Sequence, residues 1–193
     1  WYQGETPCPG GSPVHRRLLP AMIADWRARF ASPEAWFLIV QLPVLGGRPT
    51  EDPGHTGCAE IRAVQWEVGK TVEHADTAVI TDLGDPNDIH PKNKRDVGRR
   101  LAQWALAKTY GRNLVPNGPH YSHYAVESGT IRVFFTDVGK GLVTKGGRGA
   151  KGAVATCVVA GADRKFVPAQ ARVEGDTLVV SAPEVPRPRA VRY

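Results

Sequence analysis

One histidine and three aspartates stand close together in the segment "TDLGDPNDIHPKNKR" of this 193-residue chain. A histidine titrates near neutrality and can pass protons, and a carboxylate on its second ring nitrogen fixes the tautomer and stabilises the imidazolium. Asp82, Asp85 and Asp88 all lie near enough in sequence to His90 to be that carboxylate. Alternatively, Asp85 and Asp88 serve turns and the cap of the following helix, with His90 merely exposed. Spacing alone does not choose between these hypotheses.

Two other classes of function use the same residues differently. Glu5 with Asp85 or Asp88 is a candidate acid/base pair for a glycosidic bond, which requires carboxyl groups ~5–9.5 Å apart. A non-catalytic alternative makes the β-rich half and the tryptophans a carbohydrate-binding surface. The tryptophans, however, fall largely on apolar helix faces or in a buried strand, which is typical of core residues: Trp1, Trp26, Trp36, Trp66 and Trp104.

The elements that position His90 alternate along the chain. Helical apolar spacing predicts helices over residues 15–30, 58–70 and from Val97 to Gly111, and short apolar runs predict strands over 36–43 and 77–84. In the first helix, Leu18, Leu19, Ile23 and Phe30 are expected on the buried face, with Pro20 in the first turn. This alternation predicts right-handed crossovers and a parallel sheet flanked by helices. Because ligands bind outside the carboxyl ends of such strands, His90 is expected at the functional edge.

The sequence pattern changes after Pro119 from helical to strand-like. Short strand-like runs, "IRVFFTD", "AVATCVVAG", "KFVPAQARV" and "TLVVS", are separated by Gly-rich turns, and "VEGDT" is typical of a hairpin turn. The Gly- and Lys-rich stretch "DVGKGLVTKGGRGAKG" lacks the register of a phosphate-binding loop and is expected to connect a hairpin. We therefore predict an α/β domain over residues 1–118 and an antiparallel β-rich module over residues 119–193.

Composition excludes several classes of partner. The net charge of +6 is spread along the chain rather than clustered, so no nucleic-acid partner is expected, and no apolar run is long enough to span a membrane. Cys8, Cys58 and Cys157 are odd in number and have no CxxC spacing, which indicates free thiols rather than a disulfide framework or a zinc site. No metal and no cofactor are predicted.

Several motifs together resemble the sialate O-acetylesterase family of SGNH-type carbohydrate esterases. They are "WYQGE", "LLPAMIADWRARF", "FLIVQLP", "AEIRAVQ", "TDLGDPNDIHPKNKRDVGRRLA" and "RVEGDTLVVSAPEVPRPRAVRY". The resemblance implies an α/β fold, here an incomplete flavodoxin-like three-layer α/β/α portion followed by the β-rich module. It also implies a serine nucleophile, a catalytic histidine and removal of O-acetyl groups from a carbohydrate substrate.

The same resemblance implies roles for individual residues. His90 matches the family's "DIHP" histidine, the general base, and Asp88 and Asp85 match its acidic neighbours. Gln3 and the backbone N–H of Gly4 match the position that supplies oxyanion donors, which suits a side-chain amide and an unhindered N–H. The same "WYQGE" motif places Glu5 beside Gln3 and Gly4. On the family's helix near the pocket, Arg62 and Gln65 are the matching positions.

The sequence departs from the family in its nucleophile. The family's "GQSN" motif has no counterpart here, and Ser12 lies in a Gly/Pro loop without the strand-turn-helix setting that activates a serine. The chain is therefore expected to correspond to the C-terminal part of an esterase, with weak or altered hydrolase activity. An unpaired sheet edge is then expected to be covered by another copy of the chain, giving a homo-oligomer.

Overall fold

The computed structural model describes residues 1–6, 8, 12–44, 57–85, 87–144, 154 and 157–193. The described residues up to Asn117 form one compact unit, and Gly118–Tyr193 form a second. The first combines helices with a parallel strand pair, and the second is built from antiparallel strands, so the chain is a mixed α/β protein. None of the helices in these ranges is long and apolar enough to cross a membrane.

The first unit follows the predicted order of helix, strand, helix, strand and helix. Its elements are α1 (Ser12–Arg29), β1 (Phe37–Val40), α2 (Gly57–Thr71), β2 (Ala75–Ala78), a short 3-10 turn (Thr81–Leu83) and α3 (Lys94–Lys108). β1 and β2 are parallel, with Phe37 opposite Ala75 and Val40 opposite Ala78. As predicted, a helix separates the two parallel strands.

The N-terminal residue Trp1 extends this pairing on the other side of β1. Its nitrogen donates to the Leu38 carbonyl at 2.8 Å, and its carbonyl accepts from the Val40 N–H at 2.7 Å. These two bonds flank Ile39 in the pattern of a parallel ladder. Trp1 is therefore parallel to β1 and β2, and residues 2–5 follow it at the carboxyl edge of the strands.

The apolar core of this unit joins its helices to β1. One cluster contains Leu19, Ile23, Ile39, Val64 and Val68, and a second contains Val40, Ile80 and Val97. The first joins α1 and α2 to β1, and the second joins β1 to α3. Burial of these side chains, each worth about 1.5–3 kcal/mol, fixes the strands beneath the helices.

The first helix differs from its prediction in two ways. α1 begins at Ser12, so Pro20 lies in the helix interior, where it cannot donate the usual backbone hydrogen bond, and not in the first turn. Leu18 and Phe30, expected on the buried face, are exposed, while Leu19 and Ile23 are buried. The buried stripe is therefore narrower than the apolar pattern indicated.

The second strand also differs from its prediction. It covers Ala75–Ala78, not residues 77–84, because the chain turns at Ile80 into the 3-10 turn. Asp76 enters the strand despite its charge, since its carboxylate accepts from the Thr77 N–H at 2.9 Å and from Lys70 Nζ at 3.2 Å. α3 likewise ends at Lys108, before the predicted end at Gly111.

The described residues of the second unit form seven antiparallel strands. They are β3 (His120–Glu127), β4 (Thr130–Thr136), β5 (Val158–Ala160), β6 (Val167–Pro168), β7 (Gln170–Glu174), β8 (Thr177–Ser181) and β9 (Ala190–Arg192). One sheet has the order β3-β4-β8-β7, and the other has the order β6-β5-β9. The hairpin turn lies between β7 and β8 as predicted, with Gly175 at a positive φ of 59°.

Two strand-like runs of this unit gave different elements. "KFVPAQARV" divides at Ala169 into β6 and β7, which belong to different sheets. "AVATCVVAG" contributes β5, although its residues 153, 155 and 156 lie outside the described residues, as does the part of the Gly- and Lys-rich stretch from residue 145 to 152.

Candidate active site

The candidate site residues follow the carboxyl ends of three parallel backbone segments. Gln3 to Glu5 follow Trp1, Leu42 follows β1, and the His90 loop follows β2. Parallel segments present their carboxyl ends at one edge of a sheet, which is where α/β proteins bind ligands. The Tyr2 ring packs on the Val40, Ile80 and Val97 cluster, and Lys94 Nζ lies 4.9 Å from its centre. Because Lys94 begins α3 directly after the His90 loop, this contact ties the two candidate segments to each other.

The segment around Gly4 is held by the side chain of Gln65. The Gln65 Nε2 donates to the Gln3 carbonyl at 3.1 Å, and its Oε1 accepts from the Leu42 N–H at 2.9 Å. Gln65 is fully buried on α2, so both ends of its amide are used within the protein. Gln65, which the resemblance matches to a helix near the pocket, thus holds the backbone of the segment that carries Gly4.

Gly4 lies where a side chain has little room. Its φ is 144°, and an added Cβ would meet Gln65 Nε2 and Ile61 Cγ2 at 3.2 Å each. The Gly4 N–H donates to Glu5 Oε2 at 3.0 Å. The predicted oxyanion donor is thus directed at an anionic oxygen of its own neighbour, while the Gln3 side chain is exposed. Glu5 therefore binds the very N–H that an oxyanion would need.

Arg62 and two cysteines lie near this segment. Arg62 Nη1 is 3.4 Å from the Pro43 carbonyl, and burial lowers the pKa of its guanidinium. Cys8 Sγ donates to the Gly4 carbonyl at 3.4 Å. Burial, followed by a hydrogen bond with Cys58, raises the pKa of Cys8 to about 12. No spacing in the sequence indicates this thiol pair, because Cys8 and Cys58 are far apart in the chain.

The His90 loop has a different character. The His90 ring is 81% exposed, and its Nδ1 lies 3.5 Å from Asp88 Oδ1. The same carboxylate oxygen accepts from the His90 backbone N–H at 2.8 Å. Asp88 is therefore both the turn-forming residue that one hypothesis expected and the acid nearest to the ring that the other expected.

The other two aspartates have partners elsewhere. Asp85 Oδ1 accepts from the Asn87 N–H at 2.9 Å, and its carbonyl accepts from the Asp88 N–H at 3.3 Å. Asp82 forms a two-pronged ion pair with Arg100, both contacts being 2.6 Å, and this hydrogen bonding lowers the pKa of Asp82. Among the three candidates, the described contacts favour Asp88 as the acid that orients His90.

Other candidates for the chemistry can be compared with this geometry. Ser12 begins α1, and its hydroxyl donates to Glu60 Oε2 at 2.8 Å. Its hydrogen-bond partner is therefore a carboxylate and not a histidine. Within the described ranges, no group of three or more His, Cys, Asp or Glu side chains could hold a metal ion. Nothing in the described geometry favours the glycosidic acid/base pair or the non-catalytic alternative.

Comparison with known proteins gives matches of one kind. The chain resembles a carbohydrate acetylesterase from Xanthomonas citri, with a TM-score of 0.86 and 37% identity over 100% of this chain and 44% of that protein. The sialate O-acetylesterases of Homo sapiens and Pongo abelii are each 30% identical over 133 residues, covering 62% of this chain and 25% of theirs. No protein-family model matches the chain.

The chain is thus related along its whole length to a carbohydrate esterase of solved structure. It is also similar to the sialate O-acetylesterases that its motifs indicate. It spans a quarter of the length of the curated relatives and less than half of the solved one.

Proposed function

We propose that this chain carries part of the active site of a carbohydrate O-acetylester hydrolase. The supporting observation is the likeness to a carbohydrate acetylesterase over the whole chain, at 37% identity and a TM-score of 0.86. The placement of a histidine, an aspartate and a backbone donor after parallel strands agrees with this chemistry. The substrate of the proposed reaction is a sugar bearing an O-acetyl group.

His90 is the proposed general base. Its ring accepts the proton of the hydroxyl that attacks the acetyl carbonyl carbon, and it returns this proton to the departing sugar oxygen. Asp88 holds the ring and stabilises its charged form. The exposed ring leaves the second nitrogen, Nε2, accessible for this transfer. Asp85 contributes the turn that carries Asp88.

The Gly4 N–H and the Gln3 side chain are the proposed oxyanion donors. A well-placed donor of this kind contributes ~2.7–4 kcal/mol to the stability of the transition state. To expose the Gly4 N–H, the Glu5 carboxylate must rotate away, and Gln65 keeps the backbone in place while it does so. Arg62, beside the same segment, is the proposed contact for the sugar or its acyl oxygen.

The finer architecture is also part of the proposal. We infer a flavodoxin-like three-layer arrangement for the α/β portion, residues 1–118, and a separate β-rich module for residues 119–193. Two parallel strands with a third pairing segment, covered by three helices, support the layering. The expected homo-oligomer stays a prediction, which sedimentation of the purified protein tests.

The decisive experiment replaces His90 by alanine in the natural polypeptide that contains this sequence. Hydrolysis of an aryl acetate and of an O-acetylated sugar should fall by ~10²–10⁴-fold, because the base is lost. The melting temperature should stay nearly constant, since the exposed ring contributes little to the core. Asp88→Asn should give a smaller loss of activity.

His123→Ala is the matched control, because His123 is also exposed but lies on β3. It should retain full activity. Unchanged ester hydrolysis in His90→Ala would contradict the proposed role, and hydrolysis of aryl glycosides in place of acetates would favour the glycosidic alternative.

A further inference from the structure

The two thiols beside Gly4 belong to segments that the fold brings together. Cys8 contacts the Gly4 carbonyl through its Sγ, and its backbone N–H donates to the Glu5 carbonyl at 3.0 Å. Gly4 in turn packs against Ile61 and Gln65 of α2. The segment that carries Cys8 is therefore anchored on one face of that helix.

Cys58 lies on the same face of α2. It is one turn before Ile61 and two turns before Gln65, and residues at such intervals share a helix face. The Cys8 and Cys58 thiols are close enough to hydrogen-bond with each other. Both are only partly buried, so that small molecules reach them, whereas Cys157 is buried.

We propose that Cys8 and Cys58 form a reversible disulfide that links the Gly4 segment to the start of α2. The proposal concerns thiol chemistry alone and does not depend on the proposed ester hydrolysis. A bridge between residues 8 and 58 closes a loop of about 50 residues, a length for which loop closure strongly restricts the unfolded chain. It would hold the Gly4 backbone against α2 by a covalent bond in addition to the Gln65 hydrogen bonds.

The oxidant is a small-molecule disulfide. One protein thiolate attacks it, releases one small thiol and forms a mixed disulfide, and the second protein thiol then displaces the other small thiol. Two S–H bonds are lost and one S–S bond forms between the cysteines, while the oxidant takes up the two electrons and the two protons as two thiols.

The test incubates the protein with oxidised glutathione, alkylates the remaining thiols and digests with trypsin. We expect one alkylated cysteine, Cys157, and a linked pair consisting of the peptide that ends at Arg16 and the peptide of residues 30–62. The intact mass should fall by about 2 Da, the loss of two hydrogens on oxidation. Excess dithiothreitol should restore three alkylatable thiols.

Variants make the assignment specific. Cys8→Ser and Cys58→Ser should each abolish the linked pair, and the matched control Cys157→Ala should retain it. The oxidised wild-type protein should melt roughly 5–10 °C above the reduced one, from the loop-closure effect and the usual dependence of melting temperature on stability. Three alkylatable thiols after oxidation, persistent glutathione adducts in place of the linked pair, or a bridge to Cys157 would overturn the proposal.

Discussion

The Gly4 segment and the His90 loop follow parallel strands of the same unit, yet they are held in opposite ways. Gly4 is buried, and its segment is held by the hydrogen bond from Gln65 to the Gln3 carbonyl and by contact with Ile61, residues more than fifty positions away in the chain. The His90 loop is exposed and is shaped by neighbours within a few residues, chiefly Asp85 and Asp88. One segment depends on the packing of the whole unit, and the other depends on local turn chemistry.

Substitutions in the two segments should therefore affect different properties, stability near Gly4 and activity in the His90 loop. A buried polar group without its partner costs about 1–3 kcal/mol, so changes near Gly4 should destabilise the fold. Changes at exposed loop positions usually alter stability by less than about 0.5 kcal/mol. His90→Ala, described above, should therefore affect catalysis alone, and the three predictions below address the stability side of the comparison.

The largest effect on stability is expected for Gln65→Leu. This change removes the partners of the Leu42 N–H and the Gln3 carbonyl together, so the free energy of unfolding should fall by roughly 2–5 kcal/mol. Urea unfolding measures the loss. Gln103→Leu on α3 is the matched control, because the Gln103 side chain accepts only a long contact of 3.5 Å from Arg99. Equal stabilities of the two variants would remove the distinction between the segments.

A smaller loss is expected where α2 approaches β2. A Cβ on Gly69 would collide with the Thr77 Oγ1, which donates to the Gln65 carbonyl at 2.9 Å, so Gly69→Ala should cost about 1–3 kcal/mol. Gly98 on α3 has no atom within 4 Å of the corresponding position, and Gly98→Ala should stabilise the protein by about 0.5–1 kcal/mol through helix propensity. Thermal unfolding of the two variants compares them. Destabilisation by Gly98→Ala would show that available space does not decide these effects.

The smallest effect is expected at the base of the His90 loop. Its Arg100 partner holds the pKa of Asp82 below the ordinary value, so the ionised pair stabilises the fold above about pH 4 and loses this contribution as the pH falls through the lowered pKa. The Asp82 side chain is largely exposed, and solvent screening limits the effect to under about 1 kcal/mol. Asp82→Asn should therefore be slightly less stable than the wild type at pH 7, and this difference should shrink as the pH falls through the lowered pKa of Asp82. A difference that grows toward acid would contradict the assignment.

Local pattern predicted the parts of the fold in which one face of an element decides its structure. α2 covers Gly57–Thr71, close to the predicted residues 58–70, Trp104 lies in the core as expected, and β8 matches its apolar run. The limits of β2 were wrong because Asp76 obtains partners from Lys70 and the Thr77 N–H, which no propensity records. Leu18 was placed on the wrong side of α1 because apolar spacing cannot tell which of two neighbouring leucines meets the core.

The candidate site shows the same division. The turn formed by Asp88 was one of two hypotheses for its loop, since such turns depend on residues two positions apart. The burial of Gln65 and the meeting of Cys8 with Cys58 required the folded arrangement of α2 against residues 3–8. No spacing in the sequence indicated either contact.

The bond between the Gly4 N–H and Glu5 has a consequence for competition among anions. A carboxylate attached one residue away meets this N–H at an effective concentration in the millimolar range or higher, set by its short tether. A free carboxylate such as acetate must exceed that concentration to replace it through this contact alone. Glu5 therefore competes with simple carboxylates for the Gly4 N–H. A ligand must gain further contacts at the same time to displace it.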